Sequence, residues 1–386
     1  MIEGSSSEFS TVYTVMKHAQ KMCTNLGQVD TVITFDLAIY TKAKQIQMKF
    51  PDEFSGTVIR LGGFHIALNF LSLLGKKFCS SGLEDLLIES GVNAAGTASA
   101  VMKGKSYNRG IRAHKLAMEA LFRLMWDAFI GWYSSHTGDG EERPVDEDAV
   151  IRKAEECRRA ITMKADVQSS VNKFQQETTE LRSLFQDFTA QSRAKSKMFA
   201  FWEEYGEMVK LLLQFVKAER TGNWELHLSS VSAMVPHFFA MDRPNYARWL
   251  PVYIVDMRQL ATKHPEVHQE FVNGYHAVSR SGKPFAQVWT DMALEQTINA
   301  DSKSKGGIIG ISQNPGALDR WFLTSHERAS VTTALKKMFT QEHDHADVHK
   351  EAGAKRVAHN ETDVQKLVSC FSTGLMANPS LKNLSR

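Results

Sequence analysis

Asp36 is an acidic residue that follows the apolar run TVITF and precedes a helical pattern. A carboxylate in that position caps a helix by accepting hydrogen bonds from backbone N–H groups. The carboxyl end of a strand is also where α/β proteins place ligand-binding residues. Enzymes that transfer phosphoryl groups gather several acids there to hold paired metal ions. The local sequence leaves both roles open.

Three polar residues recur at intervals of four within WTDMALEQTINADSK: Asp291, Glu295 and Asn299. Residues spaced in this way share one face of a helix. Two carboxylates and an amide on that face are suited to hold a metal ion or to cap a neighbouring loop. The alternative is an exposed polar face without a specific role.

The turn RLGGFH carries two glycines and a histidine. Gly62 and Gly63 permit another part of the backbone to come close, since neither carries a Cβ. His65 then stands at the start of the next helix. It is either a hydrogen-bonded packing residue or a ligand.

A basic cluster surrounds one tyrosine in KGKSYNRGIRAHK. Cations in this density favour binding to phosphate groups, with a solvated basic helix end as the alternative. The candidate nucleic-acid-binding residues are Lys103, Lys105, Tyr107, Arg109, Arg112 and Lys115.

A histidine-rich segment, QEHDHADVHK, places Glu342, His345 and His349 on one helical face. We interpret this segment as a solvated polar helix and not as a metal site.

The elements that must position these residues begin with strands and helices in alternation. TVITF and GTVIRL are candidate buried strands, because both are short, apolar and rich in β-branched residues. LAIYTKAKQIQMKF is predicted as a helix that Pro51 ends, and a second helix follows Gly62 and Gly63. The order strand–helix–strand–helix indicates a parallel α/β unit.

Helical patterns dominate the remainder of the chain, so we predict a helix-rich α/β fold. Between 171 and 188, apolar residues recur at spacings of three and four, which indicates either packing within a helical hairpin or a homodimer interface. Prolines at 236, 244, 251 and 265 are expected to separate shorter helices. The predicted segments are 1–27 (N-terminal, helical or partly disordered), 28–135 (α/β core with the basic helix), 136–148 (linker or loop), 149–280 (helical insertion), 281–340 (return to the core with the acidic helix) and 341–386 (polar C-terminal region and tail).

The composition is that of a globular protein, with 43% hydrophobic and 23% charged residues and a net charge of +3. This weakly basic charge is compatible with nucleic acid but does not argue for it. No apolar run is long enough to span a membrane, so we expect no membrane association. The scattered cysteines (Cys23, Cys79, Cys157 and Cys370) lack zinc-binding spacing and fit a reducing, intracellular compartment, nuclear or cytoplasmic.

An ordered set of segments across residues 28–375 resembles one family, the multicopy, transposon-derived proteins grouped as a domain of unknown function. The segments are FDLAIYTKAKQI, IRLGGFHIALNFLSLLGKKF, GLEDLLIESGV, GKSYNRGIRAHK, DRPNYARWLPVYIVDM and LEQTINADSKSKGGIIGI. The resemblance implies a remnant of a ribonuclease-H-like transposase core with a large helical insertion. By that pattern Asp36 is the first catalytic acid, and Glu295, with Asp291 as its rival, is the third.

The resemblance also implies Mg²⁺ as the cofactor of an active enzyme, held by Asp36 and Glu295. The position of the second acid falls in RLGGFH, where only His65 is able to ligate. We therefore expect nucleic-acid binding, to DNA more than to RNA, with DNA cleavage or strand transfer impaired. A non-catalytic helical scaffold and a decayed transposon relic, both without a cofactor, are the alternatives.

Overall fold

A computed structural model describes much of the chain. The described residues are 5, 8–136, 152, 156, 167–279, 281–282, 285–296, 299, 315–328, 330–331, 334 and 353–375. The predicted linker beyond residue 136 and the histidine-rich segment 341–350 lie outside them. No helix in the described ranges combines the length and the apolar character needed to cross a membrane.

The prediction of a helix-rich fold is confirmed. The strands are β1 (Thr31–Phe35), β2 (Thr57–Leu61), β3 (Val278–Ser279) and β4 (Gln287–Val288). The helices are α1 (Phe9–Asn25), α2 (Leu37–Lys49), α3 (Gly63–Phe78), α4 (Leu83–Glu89), α5 (Ala95–Met102), α6 (Tyr107–His136), α7 (Val167–Glu177), α8 (Thr179–Lys195), α9 (Lys197–Thr221), α10 (Trp224–Ala240), α11 (Pro244–Arg258), α12 (Leu260–Lys263), α13 (Pro265–Val272), α14 (Thr290–Gln296), α15 (Pro315–Leu323) and α16 (Ala354–Cys370).

The two predicted strands pair in parallel, in a register that runs from Thr31 opposite Thr57 to Phe35 opposite Leu61. Every residue of β2 is buried, as its apolar run indicates. Because the strands are parallel, the residues that follow them, Asp36 and Gly62, lie at the same edge of the sheet. β3 and β4 form a separate antiparallel pair. A ribonuclease-H-like core is not shown by the strands in the described ranges.

The chain divides into two compact units. The first comprises residues 1–77, 99–111 and 210–359, and the second comprises 78–98, 112–209 and 360–386. In the first unit Tyr40 of α2 is fully buried and meets the Tyr253 ring of α11 with a centroid distance of 6.3 Å. The predicted helical insertion 149–280 is therefore divided, since its part from residue 210 onward belongs to the same unit as the parallel strands.

Two of the four prolines do not separate helices, contrary to the prediction. Pro244 and Pro265 occupy first turns, where the missing N–H has no helical partner. Pro236 and Pro251 instead lie inside α10 and α11. These two helices pack against each other, and we attribute their continuity to burial of that shared face, which offsets the cost of about 3 kcal/mol for an interior proline.

The later part of the apolar pattern of 171–188, from Leu181 to Phe188, packs within the second unit. Leu181 and Phe188 of α8 are buried in one cluster with Phe129 and Tyr133 of α6. The rings of Phe129 and Phe188 have a centroid distance of 5.7 Å. Packing against the same chain accounts for this part of the pattern, which therefore gives no support to a homodimer interface.

Candidate functional site

An Asp–His pair stands at the carboxyl edge of the parallel strands. The Asp291 Oδ2 atom lies 2.9 Å from Nδ1 of His65. The same carboxylate accepts hydrogen bonds from two backbone N–H groups at the start of α3, those of Phe64 and His65, each at 3.1 Å. A negative charge is favoured at a helix N-terminus, so Asp291 fixes both the helix and the imidazole.

The glycine pair makes this approach sterically feasible. A Cβ atom on Gly62 would collide with the carboxylate of Asp291. One on Gly63 would collide with the indole of Trp289. The two glycines, expected to permit a close approach of the backbone, therefore provide the space into which the side chains of Trp289 and Asp291 fit.

Asp36 and Glu295 add two further negative charges that act on His65. Oδ1 of Asp36 accepts a hydrogen bond from Ile39 N at 3.0 Å, so the predicted helix cap is present. The hydrogen bond from Asp291 raises the pKa of His65; burial opposes this effect, and the charges of Asp36 and Glu295 add to it. The imidazole is 32% exposed. The structure thus brings Asp291 into contact with His65, and places Asp36 and Glu295 near enough for their charges to act on the same ring.

Further hydrogen bonds fix the backbone carbonyl group of His65. Nδ2 of Asn69, one turn along α3, donates to the His65 carbonyl oxygen at 2.9 Å and to the Tyr246 hydroxyl at 3.0 Å. The Tyr246 hydroxyl in turn donates to the same carbonyl at 3.3 Å. Burial raises the pKa of Tyr246, so its hydroxyl keeps its proton.

The basic segment adjoins this site through Tyr107. The Tyr107 ring lies at a centroid distance of 5.3 Å from Phe64 and 5.6 Å from Trp289, the neighbours of His65 and of the α14 N-terminus. The cations around Tyr107 in the first unit are exposed: Lys103, Lys105 and Arg109. Cations and the Asp–His pair therefore belong to one region of the first unit.

The two remaining basic candidates belong to the second unit. The Arg112 guanidinium donates to Asp363 Oδ2 at 2.5 Å and to Asn360 Oδ1 at 2.9 Å, which engages it within the fold. Asp363 is buried on α16, a helix within the region that the sequence assigned to the polar C-terminal segment. Lys115 is exposed.

The acids of the first site suit Mg²⁺ by their donor chemistry. Mg²⁺ prefers oxygen ligands and is commonly held by one or two carboxylates, with water and substrate phosphates completing its shell. Asp36 and Glu295 supply such carboxylates beside His65. They do not form a tight cage: among described residues, the groups of potential ligand atoms within 4.8 Å of one another include no set drawn from Asp36, Asp291 and Glu295.

A second polar cluster, which sequence reasoning missed, is completely buried in the first unit. Its members are Glu219 at the end of α9, His227 in the first turns of α10, and His276 before β3. Glu219 Oε1 contacts Nδ1 of His227 and lies 3.8 Å from Nε2 of His276. These residues are distant in sequence and follow no local motif, so only the fold reveals them.

Arg60 of β2 supplies a positive charge to this second cluster. It is buried, and its Nη1 atom donates to the His276 carbonyl oxygen at 2.6 Å. Burial alone would raise the pKa of Glu219, but the nearby His227, His276 and Arg60 lower it overall. Burial lowers the pKa of His276 to about 4.

Comparison with curated proteins finds no match, and neither does comparison with solved structures. A family model described as a domain of unknown function, DUF8702, matches residues 1–382. That description names neither a transposon nor an activity. The match spans nearly the whole chain, and the protein therefore belongs to the DUF8702 family.

Proposed function

We propose that this protein binds nucleic acid, DNA in preference to RNA, at the region around Tyr107 and His65. The observation that carries the proposal is the packing of Tyr107 against Phe64 and Trp289. This packing places a segment with exposed lysines next to an oriented Asp–His pair. Lys103 and Lys105 would contact phosphates, which fix position on a strand without reading its sequence.

His65 is the residue of this region best suited to move a proton. Asp291 holds Nδ1, which orients the ring, and Nε2 of His65 has no hydrogen-bond partner within the described part of the chain. An imidazole oriented by a carboxylate is a common general acid or base. A bound Mg²⁺ would supply charge stabilisation at a phosphate oxygen, with Asp36 and Glu295 as its ligands.

A transposase ancestry is part of the proposal. The arrangement that supports it is an acid after β1 and an acid on a helix beyond a long helical region, both acting on one histidine. The residue in the place of the second acid is His65, and a histidine brings no negative charge to a pair of metal ions. We therefore expect any strand cleavage to be weak.

Binding is tested by fluorescence anisotropy with labelled duplex and single-stranded DNA and RNA of the same sequence, across a salt series. We expect affinity to fall as salt rises, and we expect Lys103→Ala with Lys105→Ala to reduce the slope by up to about 0.9 per lost duplex phosphate contact. Lys355→Ala with Arg356→Ala removes the same charge from an exposed part of α16. Equal losses of DNA affinity in both double variants would show that the binding is nonspecific electrostatic attraction. No binding at low salt would refute the proposal.

Cleavage is tested separately with Mg²⁺ and end-labelled DNA. Asp36→Asn keeps a capping side chain but removes the negative charge. This variant therefore distinguishes a loss of cleavage caused by unfolding from one caused by the missing charge. We expect weak cleavage that disappears in Asp36→Asn, Glu295→Gln and His65→Gln. Cleavage that persists in all three variants would come from another site or a contaminant. No cleavage by the unmodified protein would leave DNA binding as the function and remove the catalytic part.

A further inference from the structure

Three buried side chains in the first unit converge from separate elements: Glu219, His227 and His276. One potential ligand atom from each residue lies within 4.8 Å of those from the others. The side chains of Glu219 and both histidines are 0–1% exposed. The cluster is thus preformed and closed to solvent.

The hydrogen bond made by Nδ1 of His276 leaves an unshared electron pair on Nε2, inside the cluster. Its Nδ1 atom lies 3.2 Å from the carbonyl oxygen of Phe271, and a carbonyl is only an acceptor, so Nδ1 carries the proton. In neutral His276, Nε2 then has a lone pair, 3.8 Å from Glu219 Oε1. Neither His276 Nε2 nor Glu219 Oε2 has a hydrogen-bond partner in the described ranges. Two electron-rich groups that face each other away from water are stabilised by a positive centre between them.

His227 has the outer contact that a metal-bound histidine needs. Its Nε2 atom lies 3.0 Å from the hydroxyl of Tyr253, while Nδ1 forms a hydrogen bond with Glu219 Oε1. With a metal ion bound, Nε2–H would donate to Tyr253 and the ion would replace the proton between Nδ1 and Glu219. The two histidines thus each have one ring nitrogen held by an outer oxygen, as is usual at protein metal sites.

We propose that Glu219, His227 and His276 bind one divalent transition metal ion, with Zn²⁺ as the best match. Two imidazole nitrogens and a carboxylate oxygen are a ligand set that zinc uses in proteins. Zinc prefers four ligands, which the second carboxylate oxygen of Glu219 or one water completes. Because the site is closed, its role is structural: it joins the end of α9, the start of α10 and the turn before β3.

The turns around the site explain how the ligands meet. Gly222 and Gly274 have φ angles of +66° and +94°, a conformation that favours glycine. A Cβ on Gly222 would lie 3.0 Å from the Cα of Gly274. The two turns are therefore in close contact, and each adjoins a ligand-bearing segment.

Arg60 is the competing positive centre. It faces the cluster from β2 and affects the protonation of both Glu219 and His276. Its positive charge repels a metal cation, so the affinity of the cluster for the ion is expected to be lower than it would be among neutral neighbours. The competing structure is a metal-free hydrogen-bond network in which Arg60 and the hydrogen bond with His227 balance Glu219. Metal measurements distinguish the two.

The first experiment measures metal on the full chain, purified without an affinity tag and stripped with a chelator. We expect one Zn²⁺ per chain on return of the metal, a higher melting temperature, and Co²⁺ absorption bands of a four-coordinate site. A thiolate-to-cobalt band would instead indicate cysteine, because the proposed ligands include none. No tight Zn²⁺ uptake by the folded, stripped protein would overturn the proposal.

Variants then locate the ion. We expect Glu219→Gln and His276→Gln to abolish the metal-dependent rise in melting temperature, and Tyr253→Phe to weaken Zn²⁺ binding by about 10- to 100-fold. His114→Gln is the matched control, since His114 is equally buried but has its Nδ1 atom hydrogen-bonded to Tyr205 in the second unit. His345→Ala with His349→Ala removes the other histidine-rich candidate. Loss of the metal in that last variant, with Tyr253→Phe unchanged, would refute the site even if the ligand variants failed to fold.

Discussion

At the scale of single residues, two acids of the first site, Asp291 and Asp36, have a folding role as well as a candidate chemical one. Asp291 caps α3 and holds His65, and Asp36 caps α2 beside them. Local sequence alone could not separate these roles because one position satisfies both. The strand end that exposes a carboxylate to a ligand also begins a helix that needs a cap.

Asp291→Asn should lower the pKa of His65, since it removes the hydrogen-bonded charge that chiefly raises it. A raised pKa in the folded state means that protonation of His65 stabilises the fold. That contribution is complete below the ordinary value of 6.5 and is lost as the pH rises through the raised value. NMR titration of the His65 ring measures the change. Glu295→Gln, which removes a more distant charge, should have a smaller effect, and an unchanged His65 pKa in Asp291→Asn would contradict the assignment.

Asp36→Ala should cost about 0.5–2 kcal/mol of stability, because the N–H of Ile39 loses its capping oxygen. Asp36→Asn should cost much less, since an asparagine oxygen also caps a helix. Urea denaturation of both variants gives the comparison. Equal losses in the two would show that the charge of Asp36, and not its cap, matters to folding.

At the scale of elements, the order β1–α2–β2–α3 could be predicted because its signals are local. Apolar runs mark the strands, and Pro51 and the Gly62–Gly63 pair mark the ends of the connecting segments. The continuity of α10 through Pro236 was not predictable, since it depends on packing against α11. The cluster of Glu219 and His276 was equally hidden, because contact between two distant turns creates it.

Gly63→Ala tests how tightly α14 approaches α3. The added methyl group would collide with the indole of Trp289, and overpacking of this kind costs about 1–3 kcal/mol. Gly131→Ala is the matched control, because a Cβ there meets nothing within 4 Å. In a helix interior that change should stabilise by about 0.5–1 kcal/mol. Thermal denaturation distinguishes the two, and similar melting temperatures would show that the Gly63 contact is loose.

At the scale of the whole molecule, the weak net charge of +3 conceals local concentrations of opposite sign. Around Tyr107 exposed cations adjoin the acids near His65, so the total says little about what the surface binds. The apolar content is similarly uninformative about partners. The aromatic residues of α8 that suggested an interface face α6 of the same chain.

Self-association through α8 is therefore not expected. Phe188 is buried against Phe129, so Phe188→Ala should remove core packing and cost about 3–5 kcal/mol of stability. It should leave the mass in solution unchanged, because no second chain is needed to cover that ring. Sedimentation equilibrium over a concentration series, beside denaturation of the same samples, measures both quantities. A wild-type mass that rises with concentration, and falls to one chain in a still folded Phe188→Ala, would show instead that α8 joins two copies.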